Sequence, residues 1–229
     1  MVMNSRGAPI KFWLQWVGVS TLSLGMCFAF LGWVEGLRHV PNYAYTFDVS
    51  YPNFLMSIAS GCLLGLMQWL LLKPYFEKPL VPWLIGSIVG ITLMAMIGCF
   101  GYSFYIWGNF NTLSTRSEEF NFSIKNGGIA GFLGGMTLGC IQGRTFRHKM
   151  LWSVTNALAW ALAWGISRSV THMGFSQWSW HVGQFPLPIM LAIEMGRLGT
   201  IAGLISSAIA GVVILQVLPH DRPSEWRDR

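Results

Sequence analysis

The residues with chemistry to offer are few, and most lie between or at the ends of long apolar runs. Glu194 and Arg197 stand three apart. On a helix that spacing puts both on one face, where they can pair. Glu35 and Arg38 repeat the spacing, with His39 next in the chain. An ionisable pair at or below the headgroup level marks a functional position. A pair that reaches water is only an interfacial salt bridge. Arg168, His172 and His181 complete the group. The two histidines are read as loop residues nine apart with no carboxylate motif beside them, a weak pattern for zinc. No histidine falls in the middle of an apolar run, so haem ligation by histidine has little support. HExxH, G-x-S-x-G and phosphate-binding glycine motifs are absent. The candidate ligand or ion-pair residues are therefore Glu194, Arg197, His172, His181, Glu35 and Arg38. No catalytic residue, metal or cofactor is expected.

The elements that must position these residues are membrane helices. The chain has 229 residues, 53% hydrophobic and only 10% charged. A soluble domain carries about 25% charged residues. So few charges could not cover a surface in water, so the expected solvent is a lipid bilayer. Six apolar segments, 12–34, 54–72, 83–107, 126–143, 151–169 and 190–218, approach the length needed to cross hydrocarbon, about 20 residues each. The expected fold is all-α: a polytopic, six-helix transmembrane bundle in a single domain, 1–218, with a short polar tail, 219–229. The first segment is read as an uncleaved helix. The fourth is the least hydrophobic, because glycine replaces leucine. The proline-broken stretch 185–188 reads as interfacial.

Charge sets the expected orientation. Six spans put both termini on one side. Ten of the Lys and Arg residues flank that side: Arg6, Lys11, Lys73, Lys78, Arg144, Arg147, Lys149, Arg222, Arg227 and Arg229. Five flank the other: Arg38, Arg116, Lys125, Arg168 and Arg197. Both termini are therefore expected in the cytoplasm, in an inner or internal bacterial membrane. The formal net charge of +6 lies wholly on that side. It needs no nucleic-acid partner to explain it. Trp13, Trp16, Trp33, Trp69, Trp83, Trp107 and Trp152 lie near segment ends and read as an interfacial belt. Cys27, Cys62, Cys99 and Cys140 fall in four different segments and read as small buried thiols.

Gly127, Gly131, Gly135, Gly139 and Gly143 recur at every fourth position. Glycine costs a soluble helix roughly 1 kcal/mol relative to alanine. In a bilayer it lets a neighbouring helix approach closely. Such a ladder suits right-handed crossings of about −40°. Segments two and four share a pattern: Ser57, Gly61, Gly65 and Gln68 match Gly131, Gly135, Gly139 and Gln142. The following segment opens with tryptophan each time. Trp83 is followed by Gly86 and Gly90, Trp152 by Asn156 and Ala159. A weaker third copy is split across the chain. Its ladder is Gly199, Gly203, Ser207 and Gly211 with Gln216 beyond, and Trp13 and Trp16 open the first segment. Gln68 and Gln142 can hydrogen-bond across helices, which is worth roughly 0.6–2 kcal/mol.

The run Gly61-Cys-Leu-Leu-Gly65-Leu-Met-Gln68-Trp69 resembles a group of uncharacterised multi-pass membrane proteins built from repeated G-x3-G-x2-Q-W helices. Trp83 at the head of the next segment also fits. The fourth segment departs from the motif, with Gly143 where tryptophan would stand. The resemblance implies a packed membrane bundle and attaches no activity.

Three function classes follow. The leading one is a non-enzymatic component that packs against a membrane-protein partner or a second copy of itself. The second is a small-solute carrier or a transporter's substrate-binding subunit, with Trp178, Trp180 and His181 forming an outward pocket. The third is a membrane enzyme acting on lipid or envelope substrates through Glu194, Arg197 and a histidine.

Overall fold

A computed structural model describes residues 8–38, 51–75, 81–108, 116–146, 148–178 and 186–217. These form six long helices: α1 (Ala8–Arg38), α2 (Tyr51–Leu72), α3 (Val81–Gly108), α4 (Arg116–Gln142), α5 (Lys149–Trp178) and α6 (Leu187–Val217). Proline sets where four of them begin. Pro9, Pro52, Pro82 and Pro188 each stand second in their helix, where the absent N–H has no intrahelical partner to lose. Short 3-10 turns follow α2 and α4, at Lys73–Tyr75 and Gly143–Thr145.

The helices form a closed ring. Each packs against its neighbours in sequence, and α6 closes the ring on α1. The most extensive contacts are α1 with α6 and α4 with α5.

The bundle carries much of its polarity inside. Ser20, Ser87, Gln142, Asn156, Ser206 and Ser207 are all buried. Outside, α5 exposes Leu151, Val154, Leu158, Leu162 and Ile166, and α4 exposes Ile129, Phe132, Leu133 and Met136. Several of the serines hydrogen-bond the carbonyl one turn back: Ser60 to Met56, Ser87 to Trp83, Ser153 to Lys149 and Ser206 to Ala202. That satisfies the hydroxyl without a second helix. The apolar core has two layers. At the end where α1 begins lie Phe12, Trp16, Leu72, Trp83, Phe146, Trp152 and Ile214. Further along lie Leu24, Phe28, Leu64, Ile91, Met94, Leu138, Trp160 and Trp164.

Among the described residues, four helices are long and apolar enough to cross a membrane, over Pro9–Val34, Phe54–Leu72, Val81–Gly98 and Leu187–Gln216. α4 and α5 fall short of that composition. α4 is glycine-rich and carries Arg116, Glu118, Glu119 and Lys125 in its first turns, and α5 spends Ser153, Asn156 and Ser167 on its inner face.

Several expectations need correction. Helix α4 begins at Arg116, ten residues before the expected span, and α5 runs on to Trp178. His172 therefore lies on a helix and not in a loop. Leu187 and Pro188 are the first residues of α6, and not part of a separate interfacial stretch. Trp16, Trp83 and Trp152 do not belong to a belt. They are 1%, 0% and 1% exposed, because their rings point inward and close one end of the bundle. Cys140 is exposed, while Cys27 and Cys62 are half-buried. No two of these three thiols are joined.

Candidate functional site

The main polar feature is a node of carboxamides and indoles in the middle of the ring. Gln68 ends the small-residue ladder of α2, and Trp83 enters on the first turn of α3. The Trp83 indole N–H donates to Gln68 Oε1 at 3.1 Å, and Gln68 Nε2 donates to Ser20 Oγ of α1 at 2.9 Å. The next helix pair repeats the arrangement. Trp152 N–H donates to Gln142 Oε1 at 3.3 Å, and Gln142 Nε2 donates to Ser87 Oγ of α3 at 3.0 Å. A longer contact of 3.5 Å runs from Gln142 Nε2 to the Trp83 carbonyl. Asn156 Nδ2 donates to the Trp152 carbonyl at 2.9 Å. Each glutamine thus ties its own hairpin together and reaches back to the preceding helix pair. With both carboxamides buried, these bonds replace those the groups would otherwise make to water.

Below the node the rings stack into a plug. Trp83 lies 5.5 Å from Trp152, 5.9 Å from Trp16 and 5.7 Å from Phe146 between ring centroids. The last two contacts are edge-on, the favoured geometry for aromatic pairs. Farther along the bundle, Trp164 sits 5.6 Å from Phe28 and its N–H meets Met94 Sδ at 3.0 Å. Trp160 and Trp164 thus face neighbouring helices. The node is made of carboxamides, indoles and serine hydroxyls, and what this arrangement does is hold the helices in register.

The glycine ladders make the close approaches that position the node. Cβ atoms at Gly131 and Gly135 would meet the carbonyls of Trp160 and Asn156, and one at Gly139 would lie 2.7 Å from the Ser153 Cα. Gly127 faces Trp164, and Gly143 faces Lys149. All five rungs therefore face α5. Gly61 and Gly65 face Ser87 of α3, Gly199 and Gly203 face α1, and Gly211 faces Trp13 and Trp16. These ladders are occupied by sister helices of the same chain. At Gly61, Gly131, Gly135, Gly139, Gly199 and Gly203 it is backbone that stands within 3 Å of a Cβ and leaves no room for a methyl group, whereas Gly65 and Gly211 face side chains.

A separate site lies at the other end of α6. Arg197 Nη1 donates to Glu194 Oε1 at 3.0 Å. Glu194 is 7% exposed and its Oε2 has no hydrogen-bond partner among the described residues. Arg197 remains half-exposed. On the outer surface beside this pair runs an apolar groove of about 470 Å3 between α1 and α6, lined by Gly25, Met26, Trp33, Ile193, Gly196 and Thr200.

Glu35, Arg38 and His172 lie on α1 and α5, but their side chains are outside the described residues, as are His39, Trp180 and His181 altogether. Among the described residues no three of His, Cys, Asp and Glu converge. Gln216, read as the glutamine of the third copy, is exposed on the last turn of α6. The position equivalent to Gln68 and Gln142 is Ala210. The sequence reading named Gly86, three after Trp83, beside Asn156, four after Trp152. The residue four after each inward tryptophan, Ser20, Ser87 or Asn156, is the matching one. A polar residue at that offset in all three helices was the available signal.

A scan against family models, a search of the curated proteins and a search of the solved structures each find no match.

Proposed function

We propose that this chain is a six-span integral membrane protein with both termini in the cytoplasm, acting as a non-enzymatic structural or assembly component. On this reading it meets a membrane-protein partner, or a second copy of itself, through the outside of the bundle. The observation that carries the proposal is the use of the interior. Gln68, Gln142, the indoles of Trp83 and Trp152 and most buried serines bond to one another or to backbone, around a central cavity of only about 10 Å3. A solute path would need far more space to hold a guest. Two more spans than composition alone supports, α4 and α5, are proposed from their outer faces. Leu151 to Ile166 on α5 covers about 23 Å at 1.5 Å per residue, all apolar where it is exposed. In water that would be a large unpartnered patch; in lipid it is ordinary.

A second reading, a carrier or membrane enzyme, is favoured by one feature: the buried Glu194 carboxylate with one oxygen unpartnered among the described residues. Purification in mild detergent with mass spectrometry of everything retained separates the two. Stoichiometric protein partners or a homo-oligomer are the expected result. A lone monomer carrying a small solute would overturn the structural reading. Glu194→Gln provides the genetic counterpart. It should leave the cellular phenotype intact for a structural component and abolish it for a carrier or enzyme.

A further inference from the structure

The three helix pairs are built on one register. A Cβ at Gly61, Gly135 or Gly203 would meet the main-chain carbonyl of Ser87, Asn156 or Ser20, in each case four residues after Trp83, Trp152 or Trp16. Seven residues beyond those glycines stand Gln68, Gln142 and Ala210. The first two carboxamides accept the N–H of their own tryptophan. Alanine cannot. The indole N–H of Trp16, a residue 1% exposed, accordingly has no partner among the described residues.

A cavity of about 10 Å3 lies at this place, lined in part by Trp16, Asn156, Ser206, Ser207 and Ala210. The pyrrole edge of Trp16 faces α6, since its Cδ1 lies 3.0 Å from where a Gly211 Cβ would stand. Ser20, Gln68 and Gln142 also line it, with their polar groups engaged in the node, and on the sides of α5 and α6 the lining offers acceptors. Ser206 and Ser207 give their hydroxyl hydrogens to the carbonyls of Ala202 and Gly203, and Asn156 gives its amide to Trp152. Their oxygens keep lone pairs. We infer that this cavity is a binding site for a single water molecule, which takes the place of a third carboxamide between α6 and α1. Water accepts one hydrogen bond from Trp16 and donates two to the lining oxygens. A bare cation would oppose the indole N–H. An anion would face lone pairs on the other walls. The volume suits one water, which needs roughly 10–15 Å3 by this measure. The inference is independent of the partner reading above, since it concerns only the interior.

The test is a water-exchange-resolved NOE experiment on the full chain with 15N-labelled tryptophan indoles in detergent. Trp16, Trp83 and Trp152 are assigned by single Phe substitutions. A through-space cross-peak to a long-lived water is expected to be strongest at the Trp16 indole, whose N–H bonds the water, and absent at Trp83, which does not line the cavity. Ala210→Gln should abolish that peak while Trp16 is retained. No water peak at Trp16, an equal peak at all three indoles, or a peak that survives Ala210→Gln in a folded protein would each overturn the inference. If Ala210→Gln fails to fold, the wild-type comparison among the three indoles still decides it.

Discussion

At the residue scale, Gln142 is the side chain on which most depends. It is 1% exposed and serves Trp152, Ser87 and the Trp83 carbonyl together. Gln142→Leu keeps much of the volume and strands the Trp152 N–H. A stranded buried donor costs roughly 1–3 kcal/mol. The expected outcome is a clear fall in the midpoint of thermal unfolding in detergent. Gln142→Leu combined with Trp152→Phe removes donor and acceptor together, and should recover part of that loss. If the double variant is as unstable as the sum of the two single variants, the hydrogen bond does not couple them. Glu194 and Arg197 were legible as a pair from their spacing. That the Glu194 carboxylate is buried, while its partner stays half-exposed, depends on what α6 packs against and is not written in the spacing.

At the element scale, the glycines separate by what lies opposite them. Gly131 faces the Trp160 carbonyl and Gly139 the Ser153 backbone, neither of which can move without shifting α5. Gly131→Ala and Gly139→Ala should each destabilise by roughly 1–3 kcal/mol, the usual range for overpacking. Gly18 has nothing within 4 Å of its Cβ position, so Gly18→Ala should be neutral or slightly stabilising. Equal effects at Gly18 and Gly131 would show that helix propensity, and not interhelical contact, governs these sites. Chemical unfolding of the purified protein measures all three. The ladders themselves were plain in the sequence as a period of four. Which helix each ladder faces was not, because a stripe of small residues fits any close neighbour.

For the whole molecule, the six-span proposal predicts lipid contact along α5. Single cysteines at Leu158 and Leu162, in a background freed of native thiols, should react with a membrane-partitioning maleimide in intact membranes. They should resist a charged, impermeant one. Rapid labelling by the impermeant reagent would remove α5 from the bilayer. A fluorescent protein fused after Arg229 should fluoresce in intact cells, as a cytoplasmic C-terminus requires. Periplasmic activity of a fused alkaline phosphatase at the same point would reverse the orientation.

The sequence by itself determined an all-α, apolar chain, the approximate extent of its helices and a repeat carried by Gly61, Gly65 and Gln68 and their counterparts. These are local properties: length of apolar run and small residues at fixed spacing. Tertiary structure alone decided the direction in which side chains point. Trp16, Trp83 and Trp152 sit near helix ends, where an interfacial belt and an inward plug have the same sequence signature; ring closure turned them inward. The same closure explains why α4 and α5 look too polar to span. Averaging along the chain mixes an apolar outer face with Asn156, Ser153 and Gln142 inside. It also placed Ala210, a residue with no visible signal, at the position where the other two helix pairs hold a glutamine. Contacts between helices far apart in sequence, α6 against α1 above all, set that position, and periodicity within one helix carries no information about them.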